Sequence, residues 1–416
     1  MTAVEFYDRT PIENAISSLT TAPDKIIFIG DGNRAKKFLD KMNLFLEKKG
    51  LSSKIKIDIR KIKRNNLNDI VEVLTDIVNT EEDCVFDLTG GDDLVLVAMG
   101  IVYQKFAHKN IKIQRFNINN AEVTDCDNDG CVIYKGKPEI TVEQNVILHG
   151  GAVKYDQNPR KGTYKYDYTD EFISDVNEMW KICATDPGFW NTRVNILGQI
   201  EEYYGDDGLL SVSFNINALK ARLVNDNIKY VKLDGLLRRL NAKNLISYTI
   251  INEEDYIISY KNQQIKFCLG AAGTVLEQKV TVTAREIMLE EGIYNDVMSG
   301  VHIDWDGKIG DNSNDDNDTK NEIDVIAMHG VIPLFISCKN GRVDDDELYK
   351  LDTVANRFGG IYSKKFLIAT YLNKGPKSLA AFMQRAEDMK IFLINDVHRL
   401  SEEKFKRTIK NLISRQ

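Results

Sequence analysis

Histidine is scarce and cysteine is scattered. The five histidines (His108, His149, His302, His329, His398) form no HxxxH or HEXXH pair, and none of the six cysteines stands in a CxxC, which argues against a zinc site. The opening residues MTAVEFYDRTPIEN carry acids and no apolar h-region, so they do not read as a signal peptide, and without export a disulfide framework is not expected. Cys126 and Cys131 are close enough to meet across a short hairpin but read more simply as unpaired thiols. No apolar run approaches the roughly 20 residues that span a bilayer, so no membrane partner is expected and the expected location is the cytoplasm. Basic residues are also in deficit: 55 Lys and Arg against 62 Asp and Glu leave a net charge of −7, which argues against a salt-driven nucleic-acid coat over the whole surface. A local basic groove is still compatible with that balance.

What is present is an ordinary globular composition, 43% hydrophobic and 28% charged, on 416 residues, enough for two or three domains. The first stretch alternates short apolar strands (Lys25–Ile29, Lys54–Arg60, Cys84–Leu88, Ile111–Ile118) with amphipathic helices (Arg34–Lys49, Leu67–Val78, Leu94–Phe106). That alternation predicts a parallel sheet with helices on both faces, a Rossmann-like domain over 1–151. Val123–Tyr134 reads as a β-hairpin. Residues 152–189 read as a polar connector with a helix near Asp170–Cys183. Over 190–268, helices Thr192–Tyr204 and Lys229–Leu240 precede a hairpin of Leu245–Ile251 and Tyr256–Tyr260, a winged-helix-like pattern. Over 269–416 the order αβββαβαβ begins with helix Thr274–Glu290. The Asp/Asn-rich run 310–320 lacks the closing Glu of an EF-hand and reads as a loop.

Two patterns carry chemistry. In the first, Glu322 and Asp324 open one strand and, after a turn at Gly330, Ser337, Cys338 and Lys339 close its antiparallel neighbour, bringing acid and lysine onto adjacent strands. Asp324 suits a hard divalent cation such as Mg²⁺ or Mn²⁺. Lys339 offers positive charge to a phosphate or an attacking water. Alternation sends Ser337 and Lys339 to one face, and the carbonyl of Cys338 is a further oxygen donor. A plain hairpin with surface charges is the alternative. In the second pattern, two turns follow strands and lead into helices: Gly30, Asp31, Gly32, Asn33 and Arg34, then Thr89, Gly90, Gly91 and Asp92. Glycine admits close backbone approach and helix N-termini bind phosphate, although ordinary βα turns have the same look and the first turn is not GxGxxG.

The Asp324…Ser337-Cys338-Lys339 pattern resembles the PD-(D/E)xK nuclease superfamily, with Ser337 where that family has an acid. Glu277, in Gly273-Thr274-Val275-Leu276-Glu277, matches the helical acid that many members contribute. The resemblance implies a metal held by Asp324 and Glu277, with Glu322 as the alternative and Ser337 acting through a water. Taken with Thr89-Gly90-Gly91, the chain resembles CARF-domain effectors of type III CRISPR systems, in particular the ancillary nucleases activated by cyclic oligoadenylate. The resemblance implies a CARF sensor at 1–151, a homodimer, cyclic tetra-adenylate as activator, and metal-dependent cleavage of DNA, RNA or both. A CARF–winged-helix transcription regulator and a catalytically inactive sensor are the competing expectations. Arg357 and Arg385, on late helices, are further candidates for substrate phosphate.

Overall fold

The computed structural model describes residues 1–7, 10–32, 35–118, 121–127, 130–206, 208–308, 320–341 and 343–415. Its N-terminal elements are β1 (Thr2–Phe6), α1 (Ile16–Thr20), β2 (Lys25–Gly30), α2 (Ala35–Lys49), β3 (Lys56–Lys61), α3 (Leu67–Thr80), β4 (Cys84–Asp87), α4 (Asp93–Lys105), β5 (Lys112–Asn117), β6 (Glu122–Asp125), β7 (Cys131–Lys135) and α5 (Val142–Leu148). The sheet order is β3-β2-β1-β4-β5-β6-β7, parallel through β5 and closed by the expected hairpin of β6 and β7.

The sequence reading missed the central strand. All five residues of β1 are buried, so it lacks the alternation that marks a half-exposed strand, and Glu5 within it disguises a core element as a polar terminus. Its place matters, because strand order reverses between β1 and β4, and ligands of open α/β sheets bind at such a point.

A second group of elements follows: β8 (Ala152–Val153), α6 (Asp170–Thr185), α7 (Pro187–Tyr204), β9 (Ser211–Asn215), α8 (Ile216–Asn225), α9 (Asp234–Asn241), β10 (Ile246–Ile251), β11 (Asp255–Tyr260) and α10 (Gln263–Cys268). From α7 to β11 the order is helix, strand, helix, helix, strand, strand, with the three strands paired β10-β11-β9, the topology of a winged helix. The helix expected from Lys229 begins only at Asp234, and β9 and α8 were not anticipated. Leu236, Leu237 and Leu240 of α9 are buried, as their spacing predicts.

The last group is α11 (Thr274–Glu291), β12 (Asp296–Asp304), β13 (Lys320–His329), β14 (Ile332–Lys339), α12 (Asp346–Gly359), β15 (Lys364–Ala369), α13 (Pro376–Asp388), β16 (Ile391–Ile394) and α14 (Glu402–Lys410). Strands β12, β13 and β14 form an antiparallel meander, and β15 and β16 continue the sheet in parallel from β14. The expected αβββαβαβ order is present, with Glu322 and Asp324 in β13 and Ser337, Cys338 and Lys339 closing β14.

The expected boundary at 151 does not coincide with a break in packing. On one side of it, Val146, Ile147 and Leu148 of α5 share a core with Ile303, Phe335 and Phe358 of the C-terminal domain. On the other, β8 pairs with β12 as the edge of the C-terminal sheet. The expected connector therefore begins as a strand of the C-terminal sheet, which its sequence reaches again only after the winged-helix-like block. Among the described residues, no helix is long and apolar enough to cross a membrane, and all six cysteines are free.

Candidate active site

The β13–β14 ladder runs from His329–Ile332 to Val325–Ile336. One step beyond it, the Asp324 carboxylate replaces the missing rung: its Oδ2 accepts the backbone N–H of Cys338 at 2.6 Å and the hydroxyl of Ser337 at 3.2 Å. The same oxygen lies 3.7 Å from Lys339 Nζ, and that ammonium is 2.8 Å from Glu347 Oε2 on α12. The expected acid–lysine pair is therefore assembled. Ser337 contributes by donating to Asp324, and the Cys338 side chain turns away into the core below α11.

On the other side of Asp324 the sheet changes its partner core. Val297 and Val325 pack with the core under α11, whereas Val301 and Ile323, their neighbours along β12 and β13, pack with the core that includes α5. The changeover falls at Gly300 and Asp324, and Gly300 takes φ +53°, a left-handed conformation that glycine adopts without a Cβ penalty. This local turn of the sheet opens Asp324 to a cleft of about 350 Å³.

Glu277 of α11 and Glu322 of β13 line the same cleft with Gln278, Ser299 and Gly300. Burial and then repulsion from Asp324 and Glu322 push the Glu277 carboxyl well above its ordinary range, against the pull of Lys339. Burial also raises Asp324, outweighing Lys339 and the hydrogen bonds from Cys338 and Ser337. Glu322 rises as well, through burial and Asp324, against His302 and Lys339. For Lys339 burial is overcome by Asp324 and Glu347, which hold the ammonium charged. Burial would raise Glu347, but the hydrogen bond and charge of Lys339 bring it below its usual range.

Carboxylates that repel one another across a cleft are hard-oxygen donors whose charge a divalent cation relieves, so the residues fit such an ion. Among the described residues no group of three or more His, Cys, Asp or Glu is placed to hold a metal ion by itself. That is compatible with a Mg²⁺-type site, which binds through one or two carboxylates and keeps several waters.

Two features escaped the sequence reading. Glu347 follows an Asp run that hides it, and only the approach of α12 to β14 brings it to Lys339. The loop bearing Asn158, Pro159 and Arg160, expected to be mere connector, forms a wall of the cleft with Tyr164 and Tyr166. It is docked by His302, whose Nε2 is 3.0 Å from the Pro159 carbonyl, so His302 is committed to structure. Arg357 and Arg385 also serve structure: the first donates to the His149 carbonyl, the second pairs with Asp345.

In the N-terminal domain, the two expected turns follow β2 and β4, on either side of β1 and so about 10 Å apart. Gly30 is needed because a Cβ there would meet the Tyr7 ring, whose hydroxyl donates to the Asp31 carbonyl at 2.9 Å. A Cβ on Gly32 would meet the Lys61 side chain. Asn33 and Arg34 lie outside the described residues. The Thr89 hydroxyl accepts the N–H of Phe116 at 2.9 Å, and Gly91 takes φ +149°. Asp92 caps α4 and pairs with Arg64 at 2.7 Å, so it is committed to the fold. Tyr7, just after the unanticipated β1, stands between the two turns.

With this geometry in place, the comparisons are informative. Residues 271–411 match the family model for the Card1-like endonuclease domain. The Card1-like domain thus begins just before α11, with Glu277, and contains Asp324, Ser337, Lys339 and Glu347. No curated protein matches the chain. Among solved structures, protein VC1899 from Vibrio cholerae superposes with a TM-score of 0.73 at 18% identity, covering 99% of this chain and 96% of that one. Can2 from Sulfobacillus thermosulfidooxidans, solved in complex with cyclic tetra-adenylate, gives a TM-score of 0.64 at 17% identity over 99% and 98% of the two chains. A type III CRISPR defence DNA nuclease activated by cyclic oligoadenylate gives 0.51 at 11% identity, over 90% of this chain and 46% of that one. At these identities the likeness is one of fold, and it extends over the whole chain, Card1-like domain included.

Proposed function

We propose that this chain is a metal-dependent endonuclease of type III CRISPR defence, activated by cyclic tetra-adenylate and cleaving DNA, RNA or both. The observation that carries the reading is Asp324, held by Cys338 N–H and Ser337 at the end of the β13–β14 ladder with Lys339 3.7 Å away, inside a Card1-like endonuclease domain. Asp324 and Glu277 would hold the cation, Mg²⁺ or Mn²⁺, with Glu322 beside them. When bound, the ion supplies Lewis acidity toward a phosphodiester. Lys339, kept charged between Asp324 and Glu347, neutralises charge that develops on the phosphate.

The activator site is the crevice at the carboxyl ends of β1, β2 and β4, with Tyr7 and the Gly30–Gly32 and Thr89–Gly91 turns. The fold likeness to Can2, solved with cyclic tetra-adenylate, supports it. A two-fold symmetric ring suits an isologous homodimer, each subunit giving the same turns.

The route from activator to site runs through α5. Met42, Phe45 and Leu46 of α2 pack in one core with α5. Asn145 of α5 donates to the Phe358 carbonyl at 2.7 Å, and Arg357 to the His149 carbonyl at 2.9 Å, both at the end of α12. The other end of α12 carries Glu347, the partner of Lys339. A ligand that binds one setting of this joint more tightly shifts the position of Glu347 and so of Lys339.

The test is cleavage of supercoiled plasmid and of single-stranded DNA and RNA with Mg²⁺ or Mn²⁺, with and without cyclic tetra-adenylate, for wild type and Asp324→Ala. Ligand-stimulated cleavage that disappears in the variant supports the reading. No cleavage under any condition overturns it in favour of a binding protein.

A further inference from the structure

The cleavage chemistry makes no use of a positively charged face on the winged helix. At its centre is Phe189, the third residue of α7. The Arg193 guanidinium lies 3.8 Å from the centroid of its ring and that of Arg239, on α9, 4.5 Å. Arg193 spends its hydrogen bonds on neutral acceptors, the carbonyls of Lys232 and Phe189 and the Thr192 hydroxyl. Among the described residues neither guanidinium has a carboxylate partner. Exposed Lys232 and Arg238 extend the same face.

Two guanidinium groups on one ring repel each other, and among the described residues neither has an ion pair to relieve it, although the chain carries a net charge of −7. The arrangement is nevertheless built. A Cβ on Gly235 would come within 3.2 Å of the Phe189 ring, so the glycine at the start of α9 lets that helix close over it. Stacking fixes the planes of the guanidinium groups, which favours bidentate contact with a phosphate.

The helix that bears this face also holds the catalytic strand, from its opposite side. Next to Phe189, Trp190 is fully buried and donates to the Ala272 carbonyl, and Asn191 donates to the carbonyl of Asn340, the residue after Lys339. The same turn of α7 therefore carries the clamp and grips the end of β14.

We propose that Arg193 and Arg239 on Phe189, flanked by Lys232 and Arg238, form a phosphate anchor that holds a nucleic-acid backbone on the winged helix. This rests on the nuclease reading above, although binding can be measured without cleavage. The experiment is fluorescence anisotropy over a series of salt concentrations, with short labelled single strands and duplexes of DNA and RNA. It uses the full chain carrying Asp324→Ala to suppress cleavage. Adding Arg239→Glu is expected to weaken binding by about 10-fold or more irrespective of base sequence, and to make the dependence of log K on log salt shallower by about 1. Arg239→Ala, at an exposed position, is expected to give a smaller loss in the same direction with an unchanged melting temperature. Unchanged affinity and salt slope in both variants would overturn the proposal. So would variants whose binding falls only because light scattering shows an oligomer falling apart, which would make the face a contact between copies. Wild-type chain that binds and never cleaves would sink the nuclease reading and leave the anchor standing.

Discussion

Ser337 donates its hydroxyl to Asp324 at 3.2 Å, at the position where the PD-(D/E)xK pattern it resembles has an acid. The serine thus orients a carboxylate instead of supplying one. Ser337→Ala should leave measurable cleavage, lowered by about 10-fold, the loss expected for one hydrogen bond to a charged group. Asp324→Ala should lower it by roughly 10²–10⁴-fold. Equal losses in the two variants would make Ser337 a direct participant.

Glu347 is the closest charged partner of Lys339 and reaches it from a different element. Glu347→Gln should lower kcat by about 10–100-fold with KM nearly unchanged, because it releases the lysine without touching substrate. A rise in KM at constant kcat would instead place Glu347 in substrate binding.

Metal binding can be read apart from activity. Mn²⁺ titrated into the chain and followed by electron paramagnetic resonance should show a site weakened in Glu277→Gln and in Asp324→Asn, since each removes one charged donor. Chelation should abolish cleavage and re-addition restore it. Wild-type affinity in both variants would place the ion elsewhere.

The α5–α12 joint should transmit the activator's effect. Asn145→Ala removes the bond to the Phe358 carbonyl, far from both sites. It should preserve affinity for cyclic tetra-adenylate while reducing the stimulation of cleavage. Stimulation equal to wild type would exclude this route. Thr89→Val or Gly91→Ala should weaken that affinity itself by about 10-fold, seen by calorimetry. Intact affinity in both would refute the crevice assignment.

The same joint should be sensitive to acid. His149 is buried, and its imidazole is pushed down to about 4 by burial, with the charges of Arg357 and Lys41 adding to that and its bond to Asn145 opposing it. Below about pH 6.5 the unfolded chain binds a proton there that the folded chain does not, so stability falls between about pH 6.5 and 4, by up to roughly 1.4 kcal/mol per pH unit. Thermal melts of His149→Gln should show a flatter pH dependence across that window. An unchanged slope would assign the acid sensitivity to other groups.

Periodicity and motif spacing were enough to identify the α/β class, the helices α2 to α4, the order of the Card1-like domain, and the pairing of Asp324 with Lys339. These are local properties: strand alternation, amphipathic helices, and a hairpin short enough to bring two strand ends together. The tertiary structure alone decided the rest. β1 is invisible to periodicity because both its faces are buried, and its place beside β2 and β4 creates the switch-point crevice proposed for the activator. The Arg160 loop lies far in sequence from the cleft it walls and Arg239 from the Phe189 ring, while Glu347, eight residues after Lys339, sits on a separate helix. Only packing brings them together, and no local pattern records which helix face will meet which strand end.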